Sequence, residues 1–146
     1  SEENISKNID IADKWKIFTS KGNGGAGILN NESAVAILGK AYIGKPQSVC
    51  TDSLIPIGCF DSEKEAINLQ KYMCTKFLRF MVGILKVSQN VYQNVYRFVP
   101  LQDFISISEL NWDVPISVID SSLYLKYGLS EKEISIIEKM IRPMLL

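Results

Sequence analysis

Ser62-Glu-Lys-Glu-Ala-Ile-Asn-Leu-Gln-Lys-Tyr-Met-Cys-Thr-Lys-Phe-Leu-Arg-Phe-Met-Val-Gly-Ile-Leu-Lys86 is the longest uninterrupted periodic segment of the 146-residue chain. Ser62 followed by Glu65 reads as a capping box, in which each side chain takes up a backbone N–H left free at a helix start. Stepping 100° per residue gathers Ala66, Leu69, Met73, Phe77, Phe80, Met81 and Ile84 on one side. Lys64, Asn68, Lys71, Thr75, Arg79 and Lys86 fall in a narrow stripe opposite. A single helix of this length would run about 37 Å, so Lys64, Lys71, Arg79 and Lys86 are placed to follow a polyanion over several phosphates. An ordinary solvated helix face would carry the same pattern.

Around this helix the sequence reads as an α+β chain. Trp15 to Ser20 alternates as a strand. Residues 41–60 hold short β-rich runs at 41–44, 48–51 and 54–60, punctuated by Gly44, Pro46, Pro56 and Gly58, with Pro56 on an edge or at a bulge. Tyr96 to Val99 reads as a further strand ended by Pro100. Asp120 to Tyr127 is expected as a short helix capped by Asp120 and closed by Gly128, and Ser130 with Glu133 forms a second capping box that starts a last helix to Arg142. The expected architecture is a mostly antiparallel sheet crossed by one long amphipathic helix, with a C-terminal helical pair packed through Leu123, Ile134, Ile137 and Ile141. It forms a single domain over 1–146: a loose lead-in at 1–13, sheet and long helix at 15–100, and a connector with C-terminal helices at 101–146.

Composition bounds what such a domain does. At 47% hydrophobic and 22% charged residues the chain has enough apolar material for one core. No apolar run is long enough to span a membrane and no signal peptide is visible, so the expected location is the cytoplasm. Cys50, Cys59 and Cys74 form no CxxC pair and read as buried free thiols. The net charge of zero conceals a pattern: Lys14 to Arg97 carries eleven Lys/Arg against five Asp/Glu, while residues 1–13 carry one against four and residues 98–146 four against seven. A basic middle between acidic ends suits one surface turned to an anionic partner.

Catalytic chemistry is sparse. With no histidine, Ser-His and Cys-His nucleophilic pairs, imidazole catalysis and His-containing zinc sites are excluded. No Lys has an acid two positions before it, as a restriction-type nuclease core needs, and no two prolines are adjacent, as in an adenine methyltransferase motif. Gly22, Gly24 and Gly27 do spell G-x-G-x-x-G after a strand, which keeps a nucleotide or S-adenosylmethionine loop as an alternative. Against it, Lys16 and Ser20 suggest a half-solvated strand rather than the doubly buried first strand of a dinucleotide fold.

Six pieces taken in order, Ser48-Val-Cys-Thr-Asp52, Phe60-Asp-Ser-Glu-Lys-Glu-Ala66, Tyr72-Met-Cys-Thr-Lys-Phe-Leu-Arg-Phe80, Phe98-Val-Pro-Leu-Gln-Asp-Phe104, Leu123-Tyr-Leu-Lys-Tyr-Gly-Leu-Ser130 and Ile137-Glu-Lys-Met-Ile-Arg-Pro-Met144, carry a resemblance. Over roughly residues 15–144 the chain resembles the C-terminal part of bacterial restriction-modification proteins with an adenine-specific DNA methyltransferase domain, some of them fused to an endonuclease. The resemblance implies a non-catalytic target-recognition region that binds double-stranded DNA. It places an upstream methyltransferase domain in the same parent chain, with S-adenosylmethionine bound there and no cofactor in this fragment. Whether the parent also cleaves DNA stays open. Under this reading Lys64, Lys71, Arg79 and Lys86 contact phosphates, with Lys21 and the glycine loop beside them. Gln89, Asn90, Gln93, Asn94 and Arg97 offer the paired donors and acceptors that read base edges. The repeat Gln89-Asn-Val-Tyr92 and Gln93-Asn-Val-Tyr96 would equally suit a polar turn with its tyrosines packed inward. A domain that only docks a partner subunit is the remaining alternative.

Overall fold

Trp15–Ser20 forms β1, the middle strand of a three-stranded sheet, in a computed structural model that describes residues 12–21, 36–85, 93–105 and 107–146. Tyr42–Gly44 forms β2 and Leu54–Phe60 forms β3, each antiparallel to β1, in the order β2-β1-β3. Lys16 pairs with Gly44 and Phe18 with Tyr42 on one side; Phe18 pairs with Pro56 and Thr19 with Ile55 on the other. As the central strand, β1 is buried on both faces from Lys16 to Thr19, contrary to the half-solvated strand its sequence suggests. Lys16 achieves this by turning its ammonium onto the Ala12 carbonyl, 3.0 Å away. That objection to a dinucleotide fold therefore fails, and a stronger one replaces it: both neighbours of β1 are antiparallel.

Pro56 sits on the edge strand, where a missing N–H is tolerated. Between Trp15↔Phe60 and Ile17↔Ile57 two residues of β3 face one of β1, which is a β-bulge, and Gly58 takes φ +71° there. A Cβ at Gly58 would fall 2.5 Å from the Phe60 ring and 2.7 Å from Leu69, so glycine is required on both counts.

The expected long helix is two helices. Glu63–Cys74 forms α1, whose N-cap Ser62 accepts from the Glu65 N–H, and Lys76–Leu85 forms α2. Between them Thr75 adopts an extended ψ of 146°. Its hydroxyl donates to the Tyr72 carbonyl at 2.6 Å and accepts from the Leu78 N–H at 3.2 Å. The first two N–H groups of α2, on Lys76 and Phe77, donate to the Asp120 carboxylate at 3.0 and 2.9 Å. A side chain more than forty positions downstream thus supplies the acceptors that a new helix start needs. The break also shifts the apolar face: Leu78 and Val82 are buried with Phe77, whereas Ile84, expected in the core, is 56% exposed.

Ile116–Lys126 forms α3 and Glu131–Met140 forms α4. α3 begins four residues before the expected start, behind Pro115, so Asp120 is an interior residue that caps α2 rather than its own helix. Gly128 at φ +63° closes α3, with Leu129 N–H on the Tyr124 carbonyl, and the Ser130–Glu133 capping box opens α4 as expected. The expected strand at Tyr96 to Val99 is instead a 3-10 turn, Gln93–Tyr96, followed by a turn closed from the Val99 N–H to the Tyr96 carbonyl. The run at 48–51 is likewise no strand; Thr51 accepts from the Leu54 N–H in a turn before β3. Of the three free cysteines only Cys74 is buried; Cys50 is half-buried and Cys59 exposed.

α1 lies between the sheet and the C-terminal half. Ala66, Leu69 and Met73 join the core with Ile17, while Phe60, Tyr72, Phe104 and Trp112 form a ring cluster with centroids 5.3 to 6.1 Å apart. Among the described residues no helix is long and apolar enough to cross a membrane.

Replacing Asp120 by Ala should cost about 3–5 kcal/mol, because it leaves two helix N–H groups without their acceptor and removes the negative charge near the buried Arg79. Burial pushes the Asp120 carboxyl above the ordinary aspartate range even though the two N–H groups pull it down. A folded-state value above the unfolded one means the folded chain holds the extra proton between them, so this group's contribution falls as pH rises through that window. Chemical denaturation against pH should show the wild type losing stability relative to Asp120→Asn as pH rises through that window.

Candidate nucleic-acid interface

The stripe opposite the apolar face of the central helix is mostly covered. Asn68 is fully buried and donates to the Phe104 carbonyl at 2.8 Å. Lys71 donates to the Trp112 carbonyl at 2.5 Å and keeps 17% of its side chain exposed. Arg79 is 1% exposed; its Nε donates to the Thr75 carbonyl at 3.1 Å, and its Nη2 is buried without a hydrogen-bond partner. Burial depresses the Arg79 guanidinium, against the pull of Asp120. The expected assignment of Lys71 and Arg79 to phosphates is therefore corrected: Lys71 ties α1 to the Trp112 carbonyl, and Arg79 is buried against the α1–α2 junction. A buried polar side chain must find a protein acceptor, and here backbone carbonyls of residues 75, 104 and 112 provide them.

Lys64 stays partly open but is paired with Asp113, whose carboxyl it holds below the ordinary range. Lys76 pairs with Glu138, which also accepts from the Tyr124 hydroxyl at 2.8 Å. Burial alone would raise Glu138, but these two hydrogen bonds outweigh it and keep the carboxyl low. Lys14 pairs with Asp61 and Lys126 with Glu109. The acidic C-terminal part thus folds onto the basic middle, and much of the charge contrast along the sequence is cancelled in space. Lys86, Gln89 and Asn90 lie outside the described residues, as does the Gly22–Gly27 loop; Gln93 and Asn94 belong to the 3-10 turn by their backbone.

Two candidates remain exposed, Lys21 and Arg97, each close in sequence to a contact between β1 and the 3-10 turn. Lys21 follows β1 directly, its N–H on the Ser53 carbonyl at 3.0 Å. Arg97 follows the 3-10 turn, its guanidinium 4.8 Å from the centroid of the half-exposed Phe98 ring. Thr19 of β1 and Tyr96 lie side by side with both hydroxyls buried, facing each other without closing a hydrogen bond of good geometry. That contact puts the segment leading to Arg97 against the end of β1 from which Lys21 emerges. Lys40 is exposed two residues before β2, at the same end by the antiparallel register.

Against known protein families, curated proteins and solved structures, the chain finds no match.

One feature has no counterpart in the sequence reading. A cavity of about 350 Å³ opens between β3, α1, Leu78 and residues 96–104, lined by apolar side chains and the rings of Tyr72, Tyr96 and Phe104. Its outer wall is fixed by Tyr72 donating to the Pro100 carbonyl at 2.8 Å and by Gln102 donating to the Tyr127 hydroxyl at 2.7 Å. In the sequence, Phe98 to Phe104 runs apolar as far as Leu101, then Gln102 and Asp103 before Phe104, with neither strand nor helix period.

Truncating Arg79 to Ala should cost roughly 2–5 kcal/mol, as for other large buried side chains, and Lys71→Ala should also lower the melting temperature. Lys64→Ala should stay within about 0.5 kcal/mol of wild type, because its ion pair is a surface pair. Thermal unfolding of the three variants separates a buried seam, which ranks them in this order, from a solvated stripe, which would make all three silent.

Proposed function

We propose that this chain is a DNA-recognition module, non-catalytic by itself, of an adenine-specific restriction-modification methyltransferase. Double-stranded DNA is its ligand, and the methyltransferase domain that holds S-adenosylmethionine lies upstream in the same cytoplasmic parent. The resemblance of six ordered sequence pieces supports this reading. The structural observation in its favour is that Lys21 and Arg97 are both exposed and each lies within two residues of the Thr19–Tyr96 contact.

The surface proposed for DNA is accordingly the β1 end of the sheet, not the helix stripe. An exposed lysine suits a phosphate, and a guanidinium laid on an aromatic ring is pre-oriented for a base edge or a phosphate pair. The alternative that the glycine loop holds S-adenosylmethionine draws no support from a strand paired antiparallel on both sides.

The test is fluorescence anisotropy of the full chain on a pool of duplexes at several salt concentrations, with calorimetry against S-adenosylmethionine in parallel. Lys21→Ala should make the salt slope shallower by about one unit, and Arg97→Ala should cost roughly 1–3 kcal/mol on the preferred duplex. Lys64→Ala should leave the slope unchanged. No duplex binding at low salt, or tight S-adenosylmethionine binding, would overturn the proposal.

A further inference from the structure

α3 carries uncharged side chains on both of its faces. Ile119, Leu123 and Tyr124 enter the core on one, with Asp120 among them capping α2. A turn of about 100° per residue places Val118, Ser121, Ser122 and Leu125 directly opposite, and there Val118 is 45% and Leu125 85% exposed. Apart from the buried Asp120, no charged residue occurs from Val114 to Leu125. The neighbouring α4 has an ordinary solvated face, with Glu131, Lys132, Glu133 and Lys139 all exposed. A helix that is apolar on every side is ordinarily covered on every side.

The two serines do not replace the missing charges. Ser121 Oγ donates to the Ser117 carbonyl at 3.1 Å, and Ser122 Oγ donates to the Val118 carbonyl at 3.0 Å. Their hydroxyl protons are already engaged by the helix itself, so the face can be covered without leaving a donor unsatisfied. Two small side chains between a larger one at each end also let a second helix approach closely.

The face is self-complementary. Its midpoint falls between Ser121 and Ser122, so a copy turned antiparallel about that point sets Val118 against Leu125 of the second chain, and Ser121 against Ser122. A two-fold dimer requires this kind of match. Charge agrees with it: Asp113 stands just before α3 and Lys126 ends it, so an antiparallel copy brings the acidic beginning to the basic end twice and aligns the helix dipoles favourably. Asp113 stays 67% exposed beside Lys64, and Lys126 stays partly open beside Glu109, so both are accessible to a second chain. A parallel copy would set like charges together.

We propose that the outer face of α3 is the interface of a homodimer, in which two copies of the helix pack antiparallel about Ser121 and Ser122. One helix of 11 residues supplies less than the roughly 800 Å² per partner of a standard interface, so the dimer is weak and concentration-dependent. The inference goes beyond the DNA reading, because Lys21, Arg97, Thr19 and Tyr96 take no part in it.

Sedimentation equilibrium of the full chain from about 1 μM to about 1 mM should show the mass rising from 16.4 kDa toward twice that value. Over the same dilution series, amide resonances should shift along residues 117–126 and stay fixed elsewhere. Leu125→Glu, at an exposed position, should keep native circular dichroism and remain monomeric throughout. Asp113→Lys and Lys126→Glu should each weaken dimerisation roughly fivefold, as two symmetric surface pairs give, and the double variant should recover most of the loss. A single-chain mass at every concentration would overturn the proposal and leave the face to a different protein. Dilution shifts centred outside α3, a Leu125→Glu chain that associates like the wild type, or a double variant no tighter than the single ones would overturn it equally. Should a variant fail to fold, the wild-type masses and shifts decide the matter.

Discussion

A buried carboxylate that caps a helix in another part of the chain organises this molecule. Asp120, inside α3, accepts the first two N–H groups of α2 and so decides where α1 ends, in which direction α2 leaves, and where α3 must lie. None of these three outcomes is available without the other two. An N-terminus of a helix buried without acceptors would be unstable, and a buried aspartate without donors would be equally so, so the two are tolerated only together. Arg79 adds a positive charge within reach of the same carboxylate, and Tyr124, Glu138 and Lys76 continue the polar seam toward α4. The C-terminal helices are therefore joined to the centre by directional bonds as well as by apolar packing.

Local signals in the sequence translate directly. Ser62 and Ser130 cap the helices that follow them, Gly128 closes α3 in the left-handed region, and Pro56 falls on an edge strand, because each effect is settled within a few residues. The α+β class and the antiparallel sheet follow from the same short-range patterns. The break at Thr75 is not legible in this way. Nothing in Cys74-Thr-Lys76 forbids a helix, and the competing acceptor arrives from Asp120 through the tertiary fold. Asp120 is a helix cap, as its sequence suggests, but of α2 and not of the helix that contains it. Tyr96 to Val99 reads as a strand because its β-branched and aromatic residues carry high strand propensity, whereas among the described residues no strand lies beside it to pair with.

The candidate site shows the same division. A stripe of Lys64, Asn68, Lys71, Thr75 and Arg79 looks like a solvated face because hydropathy records side chains and ignores backbone acceptors. Residues 104 and 112 present carbonyls to that face, and those carbonyls are what make its burial affordable. The charge blocks along the chain mislead for a related reason: Asp113 and Glu138 are distant in sequence from Lys64 and Lys76 but adjacent in the fold. Lys21 and Arg97 keep the exposure expected of them, since each sits just beyond an element end, where side chains have no second layer to cover them. The contact nearest to both is between Thr19 and Tyr96, two residues with no charge and no motif to single them out.

The outer edge of β3 has a further consequence, for how the molecule behaves among its own copies. At Pro56 the strand has no N–H to offer, and two residues on, the bulge at Gly58 and Cys59 turns the backbone out of regular register. A strand from another molecule approaching along this edge would find a gap in the ladder and then a twist, so continuous pairing is blocked after a few residues. On the other side, β2 is only three residues long and Lys45-Pro46 follows it at once. Among the described residues no further strand covers either edge of the sheet, and both edges are spoiled for pairing with other chains by their own sequence. The apolar cavity beside β3 can therefore stay open to solvent without the neighbouring strand recruiting other chains.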